Sequence, residues 1–208
     1  MQNPTFGPKI ALKQLEALQK QSSTMRLAAQ EWDSDWKILI STIMSAQSRD
    51  ETTIVIANSL FQKFPALQLL SKAKFNSVLR ILKSLNYNRT KSKNIIACAK
   101  MIMEKYGGNV PHDFNKLVEL PGVGRKTANV FLSEVGHDAI GIDTHAAYIS
   151  QKLGWTKNKN PQKIEEDLKA LFPQKYWSGL NQILVRFGKT HTSKKKKDAI
   201  LENIKLVK

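Results

Sequence analysis

Apolar residues recur at spacings of three and four along most of the chain, and the two-residue alternation of half-buried strands is almost everywhere missing. The pattern predicts an all-α protein. A first stripe carries Leu12, Leu15 and Leu18. The next segment, with Trp36, Ile38, Leu39, Ile40, Ile43 and Met44, is apolar nearly all round and so belongs in a core. Shorter stripes follow through Ile54, Ala57, Leu60, Phe61 and Phe64, through Phe75, Val78, Leu79 and Leu82, and through Ile95, Ala99, Ile102 and Tyr106. Others run through Phe114, Leu117 and Val118, through Ala128, Phe131 and Val135, through Ile164, Leu168 and Leu171, and through Trp177, Leu180, Leu184 and Phe187. With a last helix near Ile200 to Val207, the pattern predicts about ten helices. Pro65, Gly107-Gly108, Pro111, Pro121, Pro161 and Pro173 fall where those helices would end or begin. There is no repeat of fixed period and no long linker.

Composition narrows the class. Hydrophobic residues make up 41% of the 208 residues, and the mean hydropathy is -0.36. That is too apolar for a disordered basic tail and too polar for a membrane protein. The 33 Lys and Arg against 17 Asp and Glu leave a formal charge of +16, which favours an anionic partner. The charge is also concentrated. No acidic residue occurs from Thr52 to Met103, yet Lys63, Lys72, Lys74, Arg80, Lys83, Arg89, Lys91, Lys93 and Lys100 all lie there. A solvated lysine-rich face is the plain explanation; a stretch this long without a balancing carboxylate favours a polyanion as partner. The run Lys194 to Lys197 is weaker evidence: it reads as a charged loop or tail, with added phosphate contacts as the alternative. The single cysteine, Cys98, excludes an intramolecular disulfide and any metal or iron-sulfur site made of cysteines of this chain alone. The opening segment has no long apolar run before its first charges, so no signal, anchor or membrane span is expected, and the expected setting is the cytoplasm, at the nucleoid.

The segment Leu120-Pro121-Gly122-Val123-Gly124-Arg125-Lys126-Thr127-Ala128-Asn129 joins two short amphipathic stretches. Pro121 stops the first helix, and Gly122 and Gly124 permit backbone angles and close approach that a side chain would forbid. The loop then presents bare N–H groups at the positive end of the next helix, a ready phosphate site. Any tight helix-helix connection can use Pro and Gly. Two glycines one residue apart, followed at once by Arg-Lys-Thr, favour the phosphate reading.

This segment resembles the helix-hairpin-helix of DNA glycosylases, specifically the endonuclease III branch. Three further segments resemble that family, in the family's order. Ile40-Ser41-Thr42-Ile43-Met44-Ser45-Ala46-Gln47-Ser48-Arg49-Asp50 is similar to its buried helix ending in S-A-Q-x-x-D. Leu85-Asn86-Tyr87-Asn88-Arg89-Thr90-Lys91-Ser92-Lys93-Asn94-Ile95 resembles its G-F-Y-R-x-K-A-x-N-I loop, and Gly141-Ile142-Asp143-Thr144-His145 its loop ending in V-D-T-H.

The resemblance implies two helical domains with a DNA cleft between them: a six-helix barrel over 28–138 containing the hairpin, and a second domain from 1–27 and 139–208. It implies a base-excision repair enzyme that flips a damaged nucleotide out of double-stranded DNA, removes oxidised pyrimidines such as thymine glycol, and nicks the abasic site as a lyase. Lys126 would be the nucleophile, its ammonium disfavoured by the helix dipole. Asp143 has two compatible readings: an N-cap for the helix starting near Thr144, and the carboxylate that helps deprotonate the lysine and stabilises charge on the sugar. Gln47 would fill the void left by the flipped base; on its own it equally suits a polar residue at a helix end. Tyr87 would wedge the opposite strand; its alternative is core packing. Asn88, Arg89 and Lys91 would contact phosphates, as would Gly122, Val123, Gly124, Arg125 and Thr127 of the hairpin, while His145 would support DNA contacts rather than bind metal.

The departures from the family are as specific. Relatives usually end in four cysteines holding a 4Fe-4S cluster after a segment like Ile183-Leu184-Val185-Arg186-Phe187-Gly188-Lys189; here Thr190-His191-Thr192-Ser193 and the lysine run follow. The cluster is therefore expected to be absent, no other cofactor is expected, and a terminal helix through Ile200, Leu201, Ile204 and Val207 is expected to pack in its place. Tyr148 stands where relatives often carry Arg. No sustained heptads ask for a partner helix, so a monomer is expected. Two alternatives stay open: a glycosylase of the same superfamily acting on uracil, mismatched thymine or 8-oxoguanine, and a non-catalytic helix-hairpin-helix DNA-binding module.

Overall fold

A computed structural model describes residues 7–207; residues 1–6 and 208 of the expected second domain lie outside the described residues. Among the described residues the regular structure is entirely helical, with twelve α-helices and one short 3-10 turn. They divide into two compact units, one spanning Arg26–Val135 (the hairpin unit) and the other made from both chain ends, up to Met25 and from Gly136 onward (the split unit).

The hairpin unit holds α2 (Asp35–Ser45), α3 (Asp50–Lys63), α4 (Leu67–Ser71), α5 (Phe75–Ile81), α6 (Asn88–Tyr106), α7 (Phe114–Val118) and α8 (Arg125–Glu134). The all-round apolar α2 packs against α3, α6 and α8, which is why its Leu39, Ile40 and Met44 are all fully buried. Trp32 and Trp36 both meet Phe61 edge-on, with ring centroids 4.9 and 5.2 Å apart. Gly107, left-handed at φ 60°, closes α6. The five-residue α4 has no counterpart among the predicted stripes, because one turn of apolar residues shows no period.

The split unit holds α1 (Pro8–Lys20), α9 (Thr144–Leu153), α10 (Pro161–Leu171), the turn at Gln174–Tyr176, α11 (Trp177–Thr190) and α12 (Lys194–Lys205). Its core interleaves Leu15 and Leu18 with Ile149, Leu153, Leu168, Leu184, Phe187, Leu201 and Ile204. Trp155 is fully buried, its ring edge-on to Phe172, and its indole N–H donates to the buried amide oxygen of Gln14 at 2.7 Å. α10 starts as its sequence dictates, with Pro161 in the first turn and the Asn160 side chain accepting from the backbone N–H groups of Gln162 and Lys163. α12 begins earlier than the apolar spacing predicts, so Lys194 to Lys197 are its first turn and not a loop or tail. Leu201 and Ile204 bury its inner face, and Asp198 accepts from the Tyr148 hydroxyl and from the Lys152 ammonium of α9. No helix among the described residues is long and apolar enough to cross a membrane.

Candidate functional site

The hairpin runs from α7 through a tight turn into α8. The N–H of Leu120 donates to the Leu117 carbonyl and that of Val123 to the Leu120 carbonyl, each at 3.0 Å. Its two glycines have different jobs. Gly122 sits at φ +82°, and a Cβ there would lie 2.9 Å from Asn94 Cβ and 3.3 Å from Ile43 Cγ2, so both backbone and space demand glycine. Gly124, the residue before α8, has φ -92° and nothing within 4 Å of a built Cβ. Nothing among the described residues requires glycine at 124, whereas close approach of an external backbone would. Gly122→Ala is therefore expected to cost about 2 kcal/mol or more and to lower Tm by roughly 5–10 °C in a thermal melt. Gly124→Ala is expected to leave Tm within about 2 °C and to weaken binding to a short duplex about tenfold in a titration; equal melting losses in both variants would remove the distinction.

Val123 and Thr127 are buried, so of the expected hairpin contacts theirs are limited to backbone N–H groups. Arg125 is exposed, its guanidinium 5.0 Å over the Phe114 ring. Lys126 occupies the second position of α8 and is half-buried.

In the split unit, Asp143 caps α9, its Oδ1 accepting from the Ala146 N–H at 2.8 Å. The N-cap role read from the sequence is thus present, and Oδ2 takes no part in it. The loop before Asp143 is held by a residue that the sequence reading missed. Asn181, buried on α11, donates its side-chain N–H to the Gly141 carbonyl; the only signal was a polar residue beside Leu180 in an apolar stripe. Gly188 is a second such residue. A Cβ there would fall 2.2 Å from His145 Nδ1, so glycine at 188 is the space the His145 ring occupies.

Gln47 and Tyr87, like Glu31, are non-glycine residues in the left-handed region, at φ +54° and +56°, and are exposed, Tyr87 at 65%. Side chains of this kind adopt that backbone at a cost that the surrounding structure must offset. Exposure excludes core packing for Tyr87. The two turns are tied together: the Asn86 side-chain N–H donates to the Gln47 carbonyl at 2.6 Å, and the Lys91 ammonium donates to Ser48 Oγ at 2.9 Å. Lys91 is therefore a correction to the expected phosphate contact. It is only 5% exposed, burial pulls its pKa down to about 8, and it braces the turn next to Gln47. The Asn88 side chain donates to the Lys83 carbonyl at 2.9 Å. Arg89 remains exposed and, with Asn76, Leu79, Arg80, Lys83 and Asn88, lines an open basic groove.

Residues 40–174 match the family model of the HhH-GPD superfamily base excision DNA repair proteins. The chain belongs to that superfamily. Endonuclease III of Thermotoga maritima is 40% identical over 156 residues, covering 74% of this chain and 73% of the relative. Endonuclease III of Bacillus subtilis is 37% identical over 158 residues, covering 75% and 72%. Among solved structures, a trapped endonuclease III–DNA covalent intermediate superposes with a TM-score of 0.83 at 28% identity, covering 91% of this chain and 89% of that one. A thermostable thymine-DNA glycosylase shares the fold, with a TM-score of 0.77 at 17% identity. The chain is a DNA glycosylase of base excision repair.

The cluster expected from endonuclease III does not fit this glycosylase. A Cys-ligated 4Fe-4S site needs four thiolates. Here the one thiol is Cys98, which lies on α6 in the hairpin unit, is fully buried, and is pushed up to about 12 by desolvation. Among the described residues no group of three or more His, Cys, Asp or Glu is arranged to hold a metal ion. After Lys189 the chain continues into α12. Tyr148 is explained by the same feature, because its hydroxyl binds Asp198 of that helix; its pKa is raised to about 12 by burial and by that carboxylate.

Proposed function

We propose that this glycosylase is bifunctional, removing oxidised pyrimidines such as thymine glycol from damaged duplex DNA and then cleaving the abasic strand. The observation that carries this is the lysine at position 126, in the first turn of the hairpin's second helix. There the positive end of the helix dipole disfavours an ammonium and favours the neutral amine. The Lys126 amine attacks the sugar C1′, and the glycosidic C–N bond breaks with its electron pair leaving on the base, which is then protonated. The sugar ring opens to a Schiff base on Lys126. Loss of a C2′ proton expels the 3′ phosphate by β-elimination, and water releases the lysine.

Asp143 accepts the proton that the lysine must lose and stabilises positive charge developing on the sugar. Gln47 takes the place of the flipped base, Tyr87 wedges the opposite strand, and Arg89, Arg125 and the bare N–H groups at Gly124 hold phosphates. The enzyme works in this scheme as a monomer without an iron-sulfur cluster, in the cytoplasm at the nucleoid.

The test is a set of duplexes carrying one thymine glycol, uracil, mismatched thymine or 8-oxoguanine, each incubated with the full chain and borohydride. A covalent adduct and a nicked strand on thymine glycol are expected. Base release without adduct would make the enzyme purely hydrolytic, an adduct only on another lesion would move the specificity, and binding with no product would place its substrate outside these four lesions.

A further inference from the structure

Four consecutive lysines open α12, with no acidic residue in its first turn and no side-chain cap from Ser193. This is the positive end of the helix dipole, where cations weaken a helix and an anion strengthens it. Asp198 is the sole carboxylate between Ser193 and Leu201; it accepts from Tyr148 and Lys152 of α9 and also feels the charge of Lys194. Lys197 is half-buried, its ammonium 5.9 Å over the Tyr148 ring, so it belongs to the same mounting. Lys194, Lys195 and Lys196 are exposed. The helix is not a loose tail: Leu201 and Ile204 are buried beneath it, and the Lys205 carbonyl receives the Gln14 side-chain amide at 3.4 Å. α12 thus presents three exposed lysines, with Asp198 beside Lys194, from a fixed position on α9, the helix that Asp143 caps.

We propose that Lys194, Lys195 and Lys196 form a docking surface for the phosphodiester backbone of duplex DNA, mounted on α9 through the Tyr148–Asp198–Lys152 contacts and resting on the DNA-repair reading above. A charge arrangement that weakens its own helix is offset when a polyanion lies against it. Phosphates neutralised here add affinity without reading sequence and position the duplex against the split unit. The chemistry belongs to other residues, so these lysines act on binding alone.

The test compares the wild-type chain with the triple variant Lys194→Gln, Lys195→Gln, Lys196→Gln and with an equally charge-reduced control, Lys157→Gln, Lys159→Gln, Lys163→Gln, built from other exposed lysines of the same unit. The probe is a short fluorescent duplex titrated over a range of salt. Each lost phosphate contact flattens the plot of log affinity against log salt by about 0.9, so the α12 variant is expected to be flatter by roughly 2–3 and the control by much less. The α12 variant alone should melt at or above the wild-type temperature. An unchanged slope, an equal loss in the control, or a fall in Tm would overturn the proposal. Failure of the wild-type chain to bind any duplex would overturn the DNA reading too, whereas a steep wild-type slope shared by the α12 variant would overturn this surface alone.

Discussion

Lys126→Gln is expected to abolish the borohydride-trapped adduct and to slow base release on the order of 10⁴-fold or more, as removal of a covalent nucleophile does. Glutamine is close to lysine in girth and keeps hydrogen-bonding capacity, but its amide nitrogen has no available lone pair with which to attack C1′. The variant should fold. Position 126 is in the first turn of α8 and half-buried, so any change in Tm is expected to be limited to a few degrees. Affinity for a duplex carrying an uncleavable lesion analogue should stay within about threefold, since one phosphate-sized contact at most is lost. The three readings separate the roles. A persisting adduct would mean that another amine is the nucleophile, and an affinity loss as large as the rate loss would make Lys126 a phosphate contact in a non-catalytic hairpin.

The parts of this fold that were legible in the sequence are those whose cause is local. The apolar period of α2 and α6 and the Pro-Gly-x-Gly turn each carry their reason within a few residues, and so does the cap at Asp143, where the acceptor lies three residues before its donor at Ala146. What the sequence did not disclose is set by partners distant along the chain. The lysine run reads as a tail because the carboxylate that ends it is held by Tyr148, 50 residues away. Lys91 reads as one more surface cation, whereas its partner Ser48 lies 43 residues earlier and on another turn. Asn181 looks like a blemish in an apolar stripe until it is seen to hold the Gly141 carbonyl, 40 residues off. The hairpin glycines show the same division in one motif: Gly122 is demanded by Asn94 and Ile43, which only the tertiary structure supplies, and Gly124 by nothing among the described residues.

Asp143→Asn is the change that separates the two roles of this carboxylate, and it is expected to lower the glycosylase rate by about 10²–10⁴-fold. Asparagine is as good an N-cap as aspartate, so its side-chain oxygen can keep the bond from the Ala146 N–H. What it loses is the negative charge at the positive end of α9, worth about 0.3–1 kcal/mol. The expected melting loss is therefore roughly 1–4 °C, while the rate loss corresponds to about 3–5 kcal/mol of transition-state stabilisation. Asp143→Ala removes the cap as well and should cost about 1 kcal/mol more in stability. If the carboxylate acts chemically, alanine and asparagine fall to the same rate and differ only in Tm. If the cap is the whole role, asparagine retains nearly full activity and alanine does not. A graded series in which rate follows Tm through aspartate, asparagine and alanine would show that Asp143 supports catalysis only by holding α9, and would leave the proton on Lys126 to be taken by water or another base.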